Sequence, residues 1–181
     1  KRSFRKFSLH TKFMVVGTLV INVIAKVFIF CVEYSNPNTL GELSIGKKLW
    51  AAYFQAVSTR TAGFNTIDMG SLDETTIFIM IILMFIGAGS GSTGGGIKLT
   101  TALVIGLATI SFLRGKSEIV ISRRTINSGY ILKALSITMV SIVFVIIATV
   151  MLNLTEKAPF IELMFEVVSA FGTVGLSTGI T

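Results

Sequence analysis

Two short stretches, "TAGFN" at 61–65 and "TVGLS" at 173–177, each place a threonine two residues before a glycine, with no charged side chain between them. In an extended chain such a stretch does its chemistry through the backbone. Carbonyl oxygens can replace the hydration shell of a bare cation, and glycine supplies the dihedrals that aim successive carbonyls at one axis. The candidates are the carbonyls of Thr61, Ala62, Gly63 and Phe64, and of Thr173, Val174, Gly175 and Leu176. Selection would then rest on carbonyl geometry and field, which suits a large, weakly hydrated monovalent cation such as potassium. The alternative is that each glycine only caps a short helix; two matching positions favour the carbonyl reading.

A third stretch, "GAGSGSTGGGIK" at 87–98, holds six glycines between two apolar runs. Gly89, Gly91 and Gly94 satisfy G-x-G-x-x-G, but no soluble strand–turn–helix unit surrounds them. Lys98 follows Ile97 rather than a glycine, so the nucleotide-binding pattern is not met. Read as one helix, residues 75–113 would run for about 58 Å, far more than a bilayer needs. A break at 87–96 resolves the length and places a small, polar loop near mid-depth, where it can line a hydrated pore. The alternative is tight helix packing through small residues. Lys98 either holds this loop electrostatically or anchors the helix that follows. Arg60 either braces the first stretch by pairing with an acid or faces a vestibule; Asn65 is expected to hydrogen-bond the backbone of that stretch.

These stretches need a frame. The sequence has 181 residues, 52% hydrophobic and 14% charged, with a mean hydropathy of +0.81; soluble domains carry about 25% charged residues. Four apolar runs stand out, at 13–32, 75–88, 97–113 and 131–153. The first and last suffice to cross a hydrocarbon core of about 30 Å. The middle two make one interrupted crossing through the glycine loop. The chain reads as an all-α integral membrane protein.

Lys1, Arg2, Arg5, Lys6 and Lys12 precede the first run, and Arg114, Lys116, Arg123, Arg124 and Lys133 surround the connection before the last. Positive residues stay cytoplasmic on insertion, so segment 1–12 and linker 114–130 face the cytosol. The acidic or mixed connections "YSNPNTLGELSIGKKL", "IDMGSLDE" and "LTEKAP" then lie outside. "WAAYFQAVSTRTAGFNT" at 50–66 begins and ends outside, so it must enter and return: a half-length helix followed by a non-helical stretch. Such backbone is tolerated at membrane depth only within protein or along water.

The order then repeats. "FIELMFEVVSAFGTVGLSTGIT" at 160–181 aligns Phe165 with Phe54, Val168 with Val57 and Ser169 with Ser58, a period of 111 residues, and after one extra residue "TVGLS" matches "TAGFN". Internal repeats of this kind are a habit of membrane transporters. Residues 13–113 form a complete span–hairpin–span repeat with a broken second span, and 131–181 an incomplete second repeat ending after its selecting stretch. Two units cannot surround an ion. Further repeats are therefore expected from a longer polypeptide or from other chains.

The formal charge of +7 sits at the ends of spans, not on one face, which argues against nucleic acid. A single cysteine, Cys31, and a single histidine, His10, exclude an internal disulfide and a cysteine-rich metal site. An intramembrane enzyme needs ionisable groups within its spans; only Lys26 and Lys98 come near, and no catalytic constellation or enzyme cofactor is expected. No arginine ladder marks a voltage sensor.

"STRTAGFNT", "GAGSGSTGGGIKLTT" and "AFGTVGLSTG", in this order and spacing, resemble the third and fourth repeats of the Trk/Ktr/HKT superfamily of potassium transporters, most of all the membrane subunit of bacterial Ktr systems. The resemblance covers nearly the whole chain. It implies four repeats around a pseudo-fourfold, potassium-channel-like pore in a bacterial plasma membrane, with Gly63 and Gly175 as filter glycines. It also implies potassium uptake, the ion held through filter carbonyls only. The loop of Gly87, Gly89, Ser90, Gly91, Ser92, Thr93, Gly94, Gly95 and Gly96, with Lys98 beside it, would be the gate. The implied partners are a second copy of the membrane subunit and a cytosolic nucleotide-binding regulatory ring. Sodium stays open, as an activating or coupled ion or as a permeant one.

Overall fold

The computed structural model describes residues 8–115, 119–121 and 124–180; the basic residues Lys1, Arg2, Arg5, Lys6, Lys116 and Arg123 and the terminal Thr181 lie outside them. The elements run α1 (Leu9–Glu33), α2 (Ile45–Ser58), α3 (Glu74–Phe85), α4 (Leu99–Leu113), β1 (Ile119–Ile121), β2 (Arg124–Ile126), α5 (Ser128–Thr155) and α6 (Phe160–Phe171).

α1 and α5 are long and apolar enough to cross a membrane. α1 starts where the Ser8 hydroxyl accepts the Thr11 amide at 3.1 Å, and α5 where the Asn127 side chain accepts the Gly129 amide at 2.9 Å. Each cap satisfies a donor that the first helical turn leaves open. Both helices turn large aliphatic side chains outward, among them Leu19, Val23 and Ile24 on α1 and Val140, Met151 and Leu154 on α5. In water such surface would be costly; against lipid or other apolar protein it is the expected face.

The two half-length helices, α2 and α6, pack differently. α2 lies on α1, whereas α6 is held between α3 and α5. Phe165 of α6 is fully buried while its repeat counterpart Phe54 is half exposed. Met80 and Met84 of α3, with Val168 of α6, close the centre of the core, and the Phe171 ring stacks on Phe85 at 5.8 Å between centroids.

Two features depart from the expected connections. α2 begins at Ile45, inside the stretch read as a polar loop, after one tight turn of π type at Pro37–Gly41. The charge that made this stretch look like loop is drawn inward: Lys48 donates to the Tyr34 carbonyl at 2.7 Å and sits 4.1 Å from the centre of the Tyr34 ring. Within the basic linker, β1 and β2 pair antiparallel, Ile119 opposite Ile126 and Ile121 opposite Arg124. Runs of β-branched residues favour strands, and here they sit one pair of residues apart, a hairpin spacing. The described structure is otherwise helical.

One buried carboxylate ties the frame together. Glu33, at the end of α1, is fully buried and accepts from the Asn36 amide at 2.8 Å, the Thr39 hydroxyl at 2.6 Å and the Asp73 backbone N–H at 3.0 Å. Asp73 is the N-cap of α3. The end of one span is thereby fastened to the start of the next half-helix.

Candidate functional site

The chain leaves α2 and α6 by the same device. After α2, the N–H groups of Ala62 and Gly63 both reach the Ser58 carbonyl at 3.3 Å; after α6, the Val174 N–H reaches the Ser169 carbonyl at 2.9 Å. The Ser58 hydroxyl donates to the Phe64 carbonyl, and the Ser169 hydroxyl to the Leu176 carbonyl at 2.6 Å. Each serine therefore binds the return stretch through both its carbonyl and its hydroxyl. The extra residue of the second hairpin, Gly172, is absorbed as the cap of α6, and the two serines end in equivalent places.

Backbone conformation repeats as well. Thr61 and Gly63 have φ of 66° and 70°; Thr173 and Gly175 have 54° and 87°. A threonine in the left-handed region is rare because its branched Cβ crowds the carbonyl. Each such residue costs about 1–3 kcal/mol and persists only where surroundings impose it. These are the only two non-glycine residues with positive φ among the described residues, and they occupy the same repeat position. Among the described residues, no backbone N–H donates to the carbonyls of Thr61, Ala62 or Gly63, nor to those of Thr173, Val174 or Gly175.

The two stretches lie side by side. A Cβ built on Gly63 would overlap the Val174 carbonyl oxygen, while one on Gly175 would lie 3.9 Å from the Gly63 Cα. Gly63 is thus required twice, by its φ and by this approach.

The glycine loop is closed at its neck, where Ile86 and Ile97 form a parallel bridge and the Ile97 N–H donates to the Phe85 carbonyl at 3.0 Å. It is docked on the second hairpin: Gly95 N–H donates to the Thr173 hydroxyl at 2.7 Å and Gly96 N–H to the Phe171 carbonyl at 3.2 Å. It also meets the first hairpin, since a Cβ on Gly94 would stand 2.9 Å from the Thr61 methyl. Arg60 pairs with no acid among the described residues. Its guanidinium donates to the Gly87 carbonyl at 3.2 Å, and its other terminal nitrogen is buried without a partner among the described residues. Lys98 donates to the carbonyls of Ser92 at 3.1 Å and Gly94 at 2.5 Å, so it holds the loop. Ser90 pairs with Thr100 at 2.5 Å. Gly89 lies against Met14 of α1, Gly91 adopts φ of 92°, and Thr93 is exposed.

Arg60, the two T-x-G stretches and the glycine loop with Lys98 therefore meet in one region. Asn65 is the exception in role: its amide donates to the Ile67 carbonyl at 3.4 Å, two residues onward. Ser58 and Ser169 had been aligned without a task; the recurrence of serine at one repeat position was the signal for it. Lys26 stands 5.9 Å from the Tyr53 ring, away from these stretches.

Residues 1–181 match the TrkH family, whose description is cation transport protein. The chain is 56% identical over 180 residues to Ktr system potassium uptake protein B of Bacillus subtilis (strain 168), covering 99% of this chain and 40% of that protein. It is 45% identical over 181 residues to the protein of the same name from Vibrio alginolyticus, and 33% identical over 181 residues to potassium/sodium uptake protein NtpJ of Enterococcus hirae, with 40% of each relative covered. The crystal structure of the potassium transporter TrkH from Vibrio parahaemolyticus superposes with a TM-score of 0.67 at 19% identity, over 98% of this chain and 41% of that one. At that identity the likeness speaks to the fold. The chain spans about 40% of the length of the relatives it matches.

Proposed function

Because the chain belongs to the TrkH family of cation transport proteins, and so is no enzyme, we propose that it contributes two of the repeats that line a potassium uptake pore. The observation that carries this is the repeated left-handed Thr–x–Gly pattern, at Thr61 and Gly63 and again at Thr173 and Gly175. The carbonyls of Thr61, Ala62, Gly63 and Phe64, and of Thr173, Val174, Gly175 and Leu176, are the ion's ligands. Those of Phe64 and Leu176 have their direction fixed by a serine hydroxyl on one lone pair. Four repeats complete the pseudo-fourfold ring, the remainder supplied from outside this sequence. Uncharged carbonyls substitute for water around a weakly hydrated ion without binding it too tightly to leave.

Gly87 to Gly96 act as the gate. With the loop seated on Thr173 and beside Thr61, it obstructs passage; conduction requires it to leave. The protein sits in a bacterial plasma membrane with segment 1–12 and linker 114–130 on the cytosolic side. It pairs with a second copy and meets a cytosolic nucleotide-binding ring through the basic linker. The relatives named for the Ktr system support this reading. A sodium-permeable version of the same pore is favoured by the Enterococcus relative, named for potassium and sodium.

The test is rubidium uptake with sodium competition by the native full-length protein, in cells stripped of their own potassium uptake, comparing wild type with Gly63→Ser. Rubidium uptake in wild type, with preference over sodium lost in the variant, is the expected result. Unchanged selectivity in the variant overturns the filter assignment, and sodium flux matching rubidium in wild type favours the non-selective version.

A further inference from the structure

The two selecting stretches are held unequally at their far ends. Glu166, four residues after Glu162 on α6, accepts on one carboxylate oxygen from the Ser177 hydroxyl at 2.7 Å, the Thr178 N–H at 2.8 Å and the Thr178 hydroxyl at 3.2 Å. Ser177 and Thr178 directly follow the stretch 173–176. Beside them Glu166, Leu152, Gly175 and Leu176 line a cavity of about 360 Å³. Leu176 itself is buried in the core; Ser177 and Thr178 beyond it are held by the carboxylate.

The same repeat position in the first hairpin, 111 residues earlier, is Gln55. Gln55 is fully buried, yet it turns to the Met69 sulfur at 3.2 Å, and its own oxygen has no partner among the described residues. Asn65, the counterpart of Ser177, bonds onward to Ile67. The first stretch thus keeps its serine anchor at Phe64 but, among the described residues, has no carboxylate strap on the residues that follow it.

We propose that Glu166 is a positioning residue for ion selection, strapping the far end of the second stretch through Ser177 and Thr178, and that the two stretches are a braced and an unbraced half of one filter. This rests on the reading of 173–176 as an ion-selecting stretch. Hydrogen bonds to a charged acceptor are about twice as strong as neutral ones. Removing the carboxylate therefore frees the backbone that follows Leu176 more than any single neutral loss would, leaving Ser169 as the hydrogen-bonded hold on the Leu176 carbonyl.

The experiment compares Glu166→Ala, Glu166→Gln and the double variant Ser177→Ala with Thr178→Val against Gly63→Ser, in the native full-length protein at matched membrane abundance. Rubidium uptake is measured with and without sodium. Glu166→Ala is expected to cut the preference for rubidium over sodium about tenfold, the scale of one lost bond to a charged group, raising half-saturating rubidium more than it lowers maximal rate. Glu166→Gln should fall between Ala and wild type, because its amide oxygen still accepts. The double variant removes the hydroxyl bonds without touching α6, so it reads the strap even where Glu166→Ala fails to reach the membrane. Wild-type selectivity in the Glu166 and double variants, with loss in Gly63→Ser, overturns the strap alone. Wild-type selectivity in all of them overturns the filter reading and the strap together.

Discussion

Gly63 faces the carbonyl oxygen of Val174 so closely that no side chain fits between them, whereas Gly175, its repeat counterpart, has only ordinary van der Waals contact with the Gly63 Cα, 3.9 Å from where its own Cβ would stand. The two glycines share a left-handed backbone but not a neighbourhood. Gly175→Ala therefore meets backbone strain of about 1–2 kcal/mol, while Gly63→Ala meets the same strain plus a collision with backbone. Rubidium uptake by the two variants should show a loss of a few-fold at Gly175 and a much larger loss at Gly63. Equal losses would remove the asymmetry.

The polar contacts of the glycine loop make a second prediction. Lys98→Met releases the carbonyls of Ser92 and Gly94, and Arg60→Gln weakens the bond to Gly87. Each variant is expected to raise rubidium flux severalfold with selectivity retained, the scale of one hydrogen bond of about 1 kcal/mol. Deleting residues 89–94 should raise flux further. In that deletion background Arg60→Gln should change nothing more, since groups acting through one element are not additive. Unchanged flux on deletion would exclude a gating role for the loop.

Glu33 governs stability rather than ions. Glu33→Leu keeps the volume but strands the donors of Asn36, Thr39 and the Asp73 backbone. A buried donor left unmet costs about 1–3 kcal/mol, so the melting temperature of the purified full-length protein should drop by several degrees. Glu33→Gln should recover part of it. A melting curve identical to wild type would show these donors finding water.

Asp73 lies on the surface at the start of α3, where hydrogen bonds from Thr75 hold its carboxyl below its ordinary value of 3.8. A lowered folded value means the carboxylate stabilises the cap above the ordinary carboxylate range, and that this contribution is lost as pH falls through the folded value. Amide exchange at Thr75, Thr76 and Ile77, corrected for intrinsic rates, should quicken on acidification in wild type. In Asp73→Asn, which still caps but does not titrate, it should stay level.

Much of this arrangement was legible beforehand because spacing along the chain reports it. The F-x-x-V-S and T-x-G patterns sit on one helix and its immediate return, so 111-residue self-similarity located both hairpins and their glycines. The one extra residue of the second repeat is accommodated in the fold by Gly172 capping α6. The partner of Arg60 was not legible. It is a backbone carbonyl 27 residues away, and carbonyls carry no mark in a sequence. The inward turn of Lys48 was hidden likewise, since it lies in a stretch whose proline and glycines read as loop, and its partner is the backbone and ring of Tyr34. The short β1–β2 hairpin was masked by the charges around it, which had pointed to membrane topology.

The bridge between Ile86 and Ile97 makes the ten residues from 87 to 96 a side branch of the α3–α4 crossing. The bridge joins the end of α3 to the start of α4 although the chain detours. Rearranging the branch leaves helix tilt, helix register and lipid-facing area as they were. Its pace therefore belongs to loop motion, nanoseconds to microseconds, and not to the slower sliding of packed helices. Lengthening the branch is inexpensive too, because closure entropy grows only with the logarithm of length, about 0.6 kcal/mol per doubling. In the proposed pore the gate and the helices that carry it would then be separate pieces of chain, and either could vary without disturbing the other.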